Sequence, residues 1–230
     1  MFFKKLKCAT GVIGSILKKE TPECSDFFDS LYSLKKDPWN YENSDYEREK
    51  YQRTLEILCD VEFETVLEAG CSEGVFTRMM SCLCKSLTAA DISSIALERA
   101  KEKNSDRCNI EYICMDLEKE ELSGKWDLIV CSEVLYYLDD PQRIGTVRDK
   151  FISALTGRGH ILLVHMRRLS DDESGHPAPV TGYPSLGAKT VHDVFKKSEK
   201  IELIREDVQE KYVISLFGLK NRKAGSINGE

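Results

Sequence analysis

The sequence predicts an α/β protein built on a mostly parallel sheet. Two observations carry this. Short apolar β-rich runs alternate with helical segments from residue 64 to residue 164, and continuous apolar strands separated by helices form parallel sheets buried on both faces. Near the end of the chain, Ile201–Asp207 and Tyr212–Leu216 are joined by a link too short for a crossover helix, so that pair runs antiparallel.

The strands are expected at Glu64–Ala69, Ser86–Asp91, Ile110–Cys114, Trp126–Cys131 and His160–Val164, before the final two. Helices are expected at Val75–Cys84, Ser93–Lys103 and Lys189–Lys197. Another runs from Pro141 to about Leu155, with the proline at a first-turn position where a missing N–H is harmless. Ahead of the first strand, Tyr46–Leu58 reads as a helix with Tyr51, Leu55 and Leu58 inward and Glu47, Arg48 and Glu49 toward solvent. Residues 26–43 are aromatic-rich. Residues 169–187 carry three prolines and three glycines without periodicity, a long loop of the kind that serves function.

Composition narrows the function classes. The 230 residues are 41% hydrophobic and 31% charged, with net charge −6. That balance is globular and excludes collagen-like, coiled-coil and fully disordered chains. Five lysines against Glu20 give the first twenty residues +4 and leave the rest at −10. The body lacks the basic stripe that phosphate neutralisation demands, so no nucleic acid is expected as a partner. No apolar stretch reaches the ~20 residues of a membrane span. The nine cysteines do not repeat as metal-ligand pairs, so no metal is expected; Cys59, Cys71, Cys114 and Cys131 sit in apolar runs as small hydrophobes of a reducing, cytoplasmic compartment.

The most informative segment runs from Val66 to Phe76. A strand carries Glu68, a small-residue turn spans Gly70, Cys71, Ser72 and Gly74, and a helix follows. In open α/β sheets ligands bind at the carboxyl ends of strands, and glycine at a bend admits a ligand close to the main chain. Asp91, 21 residues past Gly70, ends the second strand, where a carboxylate can accept from both ribose hydroxyls. Asp116, past the third, can receive an adenine amino group. Three acidic strand ends outline a nucleoside site. A dinucleotide needs Gly-x-Gly-x-x-Gly for its pyrophosphate; here Ser72 and Val75 hold the second and third positions. Glu68 also repels phosphate and suits an ammonium. Electrostatics therefore favour S-adenosylmethionine over NAD.

This combination resembles the class I S-adenosylmethionine-dependent methyltransferases over about residues 44–218. The resemblance implies a Rossmann-like three-layer sandwich with strand order 3-2-1-4-5-7-6 and strand 7 antiparallel. It implies that Glu68 to Gly74 bind the methionine end, Asp91 with Ile92 the ribose, Asp116 with Leu117 the adenine, and the segment from Cys131 through Ser132 and Glu133 to Tyr137 lies under the sulfonium. Ser72 departs from the glycine of many members. Asp37-Pro38-Trp39, then Ser44-x-Tyr46-Glu47-x-x-Lys50-Tyr51, and the later Gly175-His176-Pro177 and Gly187-Ala188-x-Thr190-Val191, resemble the NodS (nodulation methyltransferase) subfamily. That implies methylation of an amino sugar on a chito-oligosaccharide-like acceptor.

The expected organisation is a tail over 1–25, one methyltransferase domain over 26–218 with a lid at 26–60 and an acceptor-side loop at 168–188, and a polar tail over 219–230. The reaction is transfer of a methyl group to an amine or hydroxyl of a small molecule, with a saccharide as one candidate. A protonated nucleophile needs a base within reach; Glu133 and His165 are the candidates, while His192 reads as a surface group. Tyr46 or Tyr51 should touch the cofactor. Trp39, Tyr136, Tyr137 and His176 are candidate acceptor contacts, the rings through stacking and cation–π attraction. The segment after the fourth strand lacks the (Asp/Asn)-Pro-Pro-Tyr turn of enzymes that methylate adenine or glutamine nitrogens. Three alternatives remain: a carboxyl or protein methyltransferase, a catalytically silent cofactor-binding partner subunit, and a nicotinamide-dependent reductase.

Overall fold

The computed structural model describes residues 24–58, 62–167 and 186–220. Two helices, α1 (Cys24–Leu34) and α2 (Asp45–Leu58), precede the sheet. Then follow β1 (Phe63–Ala69), α3 (Val75–Met80), β2 (Cys84–Asp91), α4 (Ser94–Lys103), β3 (Ile110–Cys114) and β4 (Trp126–Ser132). A 3₁₀ turn (Leu135–Leu138) leads into α5 (Pro141–Ala154), β5 (Leu155–Met166), α6 (Ala188–Lys196), β6 (Ile201–Val208) and β7 (Tyr212–Leu219). The seven strands lie in the order β3-β2-β1-β4-β5-β7-β6. β1 to β5 are mutually parallel, and β7 is antiparallel to both of its neighbours.

Period-2 alternation sorts the central strands between two cores. Ile129 and Cys131 of β4 pack with Ile144, Val147 and Phe151 of α5 and with Val191 and Phe195 of α6. Leu128 and Val130, on the other face, join Tyr51 and Leu58 of α2 and Phe76 and Met80 of α3. Three layers result, with a sheet buried on both sides. Pro141 sits at the first turn of α5 as expected, after an Asp140 N-cap whose carboxylate accepts the Gln142 N–H at 2.8 Å.

Several boundaries differ from the sequence reading. α3 stops at Met80 and Cys84 already opens β2, because the chain must reverse between them to pair with β1. β5 begins at Leu155, directly after α5, where Leu155 pairs with Trp126, five residues ahead of the expected start at His160. His160 is therefore mid-strand. Glu47 points inward and is 8% exposed, whereas Arg48 and Glu49 do face solvent. His192 is 1% exposed and not a surface group. Cys71 and Cys131 are buried, but Cys114 is exposed because β3 is an edge strand; Cys59 lies outside the described residues. Among the described residues no helix is long and apolar enough to cross a membrane.

The β1 exit is the tightest point. Gly70 has φ +90°, and its N–H donates to Ala90 O at 2.7 Å. A Cβ built there would lie 2.1 Å from Val134 Cγ2. Gly70→Ala therefore combines left-handed strain with overpacking and is expected to cost about 2 kcal/mol or more, read as a lowered denaturant midpoint at constant slope; an unchanged midpoint would contradict this packing.

Candidate active site

The carboxyl ends of β1, β2 and β4 and the loop after β3 open into one cleft, roofed by α1 and the segment after it. Its larger part, about 920 Å³ with the mouth included, is lined by Gly70, Ser72, Asp91, Ile92, Asp116, Leu117, Ser132 and Glu133, all anticipated from sequence. Trp39 and Tyr137 line it as well. A smaller adjoining pocket is lined by Tyr51, Glu68 and Cys71, again anticipated, together with Glu47 and Lys50. Gly70, Ser72, Ser132, Glu133 and Tyr41 belong to both.

Other expectations are redistributed. Gly74 lines neither pocket; at φ +76° it precedes the first residue of α3, where a Cβ would strike Asn104 and Ala100. Tyr46 also lies outside both. Its ring meets Tyr212 edge-on and carries the Lys50 ammonium 5.2 Å from its centroid. Tyr51 stacks on Phe76 at 4.8 Å and is the one of the two that reaches a pocket. Tyr136 is 5% exposed and donates its hydroxyl to Glu133 Oε2 at 2.7 Å instead of walling the cleft. His165 is fully buried outside both pockets, with Leu135 N and His192 Nε2 against its two ring nitrogens. The geometry corrects its assignment as a base: neither nitrogen faces the cleft. His176 lies outside the described residues.

Sequence reasoning missed the groups that hold the site together. Lys50, 1% exposed, meets Glu133 Oε1 at 2.8 Å and Glu47 Oε2 at 2.9 Å. Burial alone would lower the pKa of this ammonium, but the Glu133 and Glu47 carboxylates overcome that and hold it well above its ordinary value. Burial pushes Glu47 up against the pull of Lys50. Glu133 itself has φ +58° and is fixed by the Met166 N–H on Oε2 at 3.0 Å. Glu73, 2% exposed, ties the segment after α1 to α4: Oε1 takes Arg99 at 2.6 Å and Oε2 takes the Asp37 N–H at 3.0 Å. Tyr32 on α1 donates its hydroxyl to Ser72 Oγ at 2.6 Å. Ser72 is thus a left-handed residue, φ +51°, that supplies a hydroxyl where glycine would supply none.

The acids fit a cationic nucleoside. Asp91 is 9% exposed; Oδ2 accepts the Ser72 N–H at 2.7 Å and Oδ1 the Ser93 N–H at 2.9 Å. Each oxygen keeps a lone pair for a hydroxyl. Burial raises its pKa to about 6 against those main-chain donors. Glu68 is 4% exposed, and its Oε2 has no hydrogen-bond partner. Burial, with Asp91 nearby, raises it to about 8. A Thr77 hydrogen bond opposes that rise only in part, and the bare oxygen of this carboxyl in a pocket wall is one that an ammonium would satisfy. Asp116 Oδ1 accepts the Glu118 N–H at 2.9 Å, and apolar Ile92, Met115 and Leu117 flank it in the cleft wall. Burial keeps the phenols of Tyr32, Tyr41 and Tyr51 protonated.

The family model of nodulation protein S matches residues 31–206. The chain belongs to the NodS family. Nodulation protein S of Bradyrhizobium diazoefficiens USDA 110 is 30% identical over 163 residues, spanning 70% of this chain and 74% of that protein. The crystal structure of the N-methyltransferase NodS from Bradyrhizobium japonicum WM9 in complex with S-adenosylhomocysteine is 27% identical. It superposes with a TM-score of 0.69 and covers 83% of this chain and 98% of that one. The malonyl-[acyl-carrier protein] O-methyltransferase of Acetivibrio thermocellus is a weaker match, 26% identical over 52% of this chain and 43% of that protein. This NodS-family chain is an S-adenosylmethionine-dependent methyltransferase with a Rossmann-like fold. S-adenosylmethionine is its cofactor, and the orphaned Glu68 oxygen and the free lone pairs of Asp91 suit its ammonium and ribose.

The raised Glu68 pKa means that the cofactor-free folded state binds a proton the unfolded state loses near pH 4.5. Stability is therefore expected to fall as pH rises from there through about 8, and Glu68→Gln should flatten that decline in a series of thermal melts. S-adenosylhomocysteine binding should release protons near pH 7, seen as buffer-dependent calorimetric enthalpies in the native chain and not in Glu68→Gln. Asp91→Ala should weaken that binding by about 1 kcal/mol or more; unchanged affinity would remove Asp91 from the ribose subsite.

Proposed function

We propose that this enzyme methylates an amine, with an amino sugar of an oligosaccharide as the acceptor. S-adenosylmethionine supplies an electrophilic methyl group on a sulfonium; the chain's residues orient the acceptor, exclude water and handle its proton. One observation carries the reading: Glu133, which lines both pockets, belongs to a buried Glu47–Lys50–Glu133 cluster of two carboxylates and one ammonium whose other two members line the smaller pocket. Its excess of acid favours a cationic acceptor and disfavours a carboxylate one.

Glu133 is the proposed proton acceptor. It lines both pockets, and Lys50, Tyr136 and the Met166 N–H fix its orientation so that a remaining lone pair can face an incoming ammonium. Alignment is the larger contribution, about 7–11 kcal/mol for well-oriented reactants. The ring wall suits a saccharide. Trp39 stacks on Tyr41 at 5.7 Å, Phe28 meets Tyr137 edge-on at 5.2 Å, and all four line the larger pocket. Among the described residues, Arg143 in the lining of the larger pocket is paired to Glu118, which counts against nucleic acid as the acceptor. Residues 26–218 then act as one methyltransferase domain with 26–60 as its lid.

The test is methyl-labelled S-adenosylmethionine with amino-sugar oligosaccharides bearing either a free or an acetylated amine. Label is expected on nitrogen and only with the free amine; label on oxygen, or equal labelling of both, would overturn the amine reading. Glu133→Gln is expected to bind S-adenosylhomocysteine normally and to lower kcat, and a full-rate variant would remove Glu133 as the proton acceptor.

A further inference from the structure

Behind the cleft, a second set of polar groups is buried with the direction of every hydrogen bond determined. His165, near the end of β5, is fully buried. Its Nε2 lies 3.4 Å from the Leu135 main-chain nitrogen, and its Nδ1 lies 3.2 Å from His192 Nε2. His192, in α6, places Nδ1 2.7 Å from Ser215 Oγ on β7. Ser215 Oγ lies 2.8 Å from Glu206 Oε1 on β6, and Lys196 Nζ pairs with that oxygen at 2.7 Å.

The two ends set the direction. A main-chain N–H only donates, and a lysine-paired carboxylate only accepts. Ser215 therefore gives its hydrogen to Glu206 and accepts one from His192 Nδ1. His192 Nε2 is then bare and accepts from His165 Nδ1–H. His165 Nε2 is bare in turn and accepts the Leu135 N–H. Both rings are neutral, because an added proton would set two donors face to face. Burial, aided by the Lys50 charge, pushes His165 down to about 3, and burial holds His192 well below its ordinary value.

The near end of this chain is the turn that carries Glu133. Three links tie that turn to β5: the Glu133 N–H on Val164 O at 2.8 Å, the Met166 N–H on Glu133 Oε2 at 3.0 Å, and the Leu135 N–H on His165. Tyr136, whose hydroxyl meets Glu133, packs its ring edge-on against His165 with centroids 5.5 Å apart. The positive φ of Glu133 needs such outside restraint. We propose that His165, His192 and Ser215 form a one-directional relay that positions the Glu133–Tyr137 turn, making His192 and Ser215 positioning residues for methyl transfer although neither touches the cleft.

Nitrogen-15 NMR of the full chain tests this without any variant. Both rings should show the Nδ1–H tautomer, unchanged from about pH 6 to pH 9; Nε2–H on either ring overturns the relay. Ser215→Ala removes the acceptor for His192. The His192 Nδ1–H left without an acceptor should shift the ring-nitrogen resonances of His192 and His165 and lower kcat about tenfold or more, with S-adenosylhomocysteine affinity held within about twofold. Ser215→Thr should restore both readouts. His192→Gln, which keeps an acceptor toward His165, should retain more turnover than His192→Leu. A folded Ser215→Ala with full turnover, or one that loses cofactor affinity in step with kcat, overturns the positioning role. The tautomer result stands apart from the identity of the acceptor and from Glu133 as its proton acceptor.

Discussion

A lysine ammonium with one per cent of its surface in contact with water cannot stand alone. Lys50 is that group, and the architecture of the site follows from satisfying it. Glu47 comes from the preceding turn of its own helix, while Glu133 comes from 83 residues away, just past β4. The pairing docks the helix before the sheet onto the centre of the sheet's carboxyl edge. It also fixes Glu133 in the one wall that the two parts of the cleft share. Removing Lys50 would leave two buried carboxylates without their counter-charge, worth about 3–5 kcal/mol in comparable cases.

The electrostatic character of the cleft comes from acids held where water is scarce. Glu68 and Asp91 are both raised by burial, and both lie at the ends of strands that converge on the same crevice. Their arrangement is costly for the empty protein and rewarding for a ligand that carries positive charge and hydroxyls. Three of the seven positive-φ residues among the described ones, Gly70, Ser72 and Glu133, line this crevice.

Much of this was readable in the chain. The alternation of apolar runs gave the sheet, and the short link between the last two strands gave the reversal, because both depend on local patterning. The positions of Glu68, Asp91 and Asp116 along the cleft were legible because they are tied to strand ends. The Glu47–Lys50 pair was not, since a helix surface reading Glu-Arg-Glu-Lys shows four charges and no sign of which one meets a distant carboxylate. His192 was within reach. Ala188, Val191 and Phe195 lie one helical turn apart, and position 192 falls on that same stripe, so periodicity alone placed it inside. Its partner Ser215 sits in a strand whose residues are nearly all buried, where alternation gives no cue. The early start of β5 was hidden by two glycines that also suit a turn.

The hydroxyl of Ser72 joins two things that a glycine would leave separate. Through Tyr32 it fastens α1 to the turn beside Asp91, and its own amide rests on the Asp91 carboxylate. Linkage makes such a junction reciprocal. In the proposed binding mode, whatever steadies the roof would tighten the grip on the nucleoside, and a seated nucleoside would steady the roof by the same free energy.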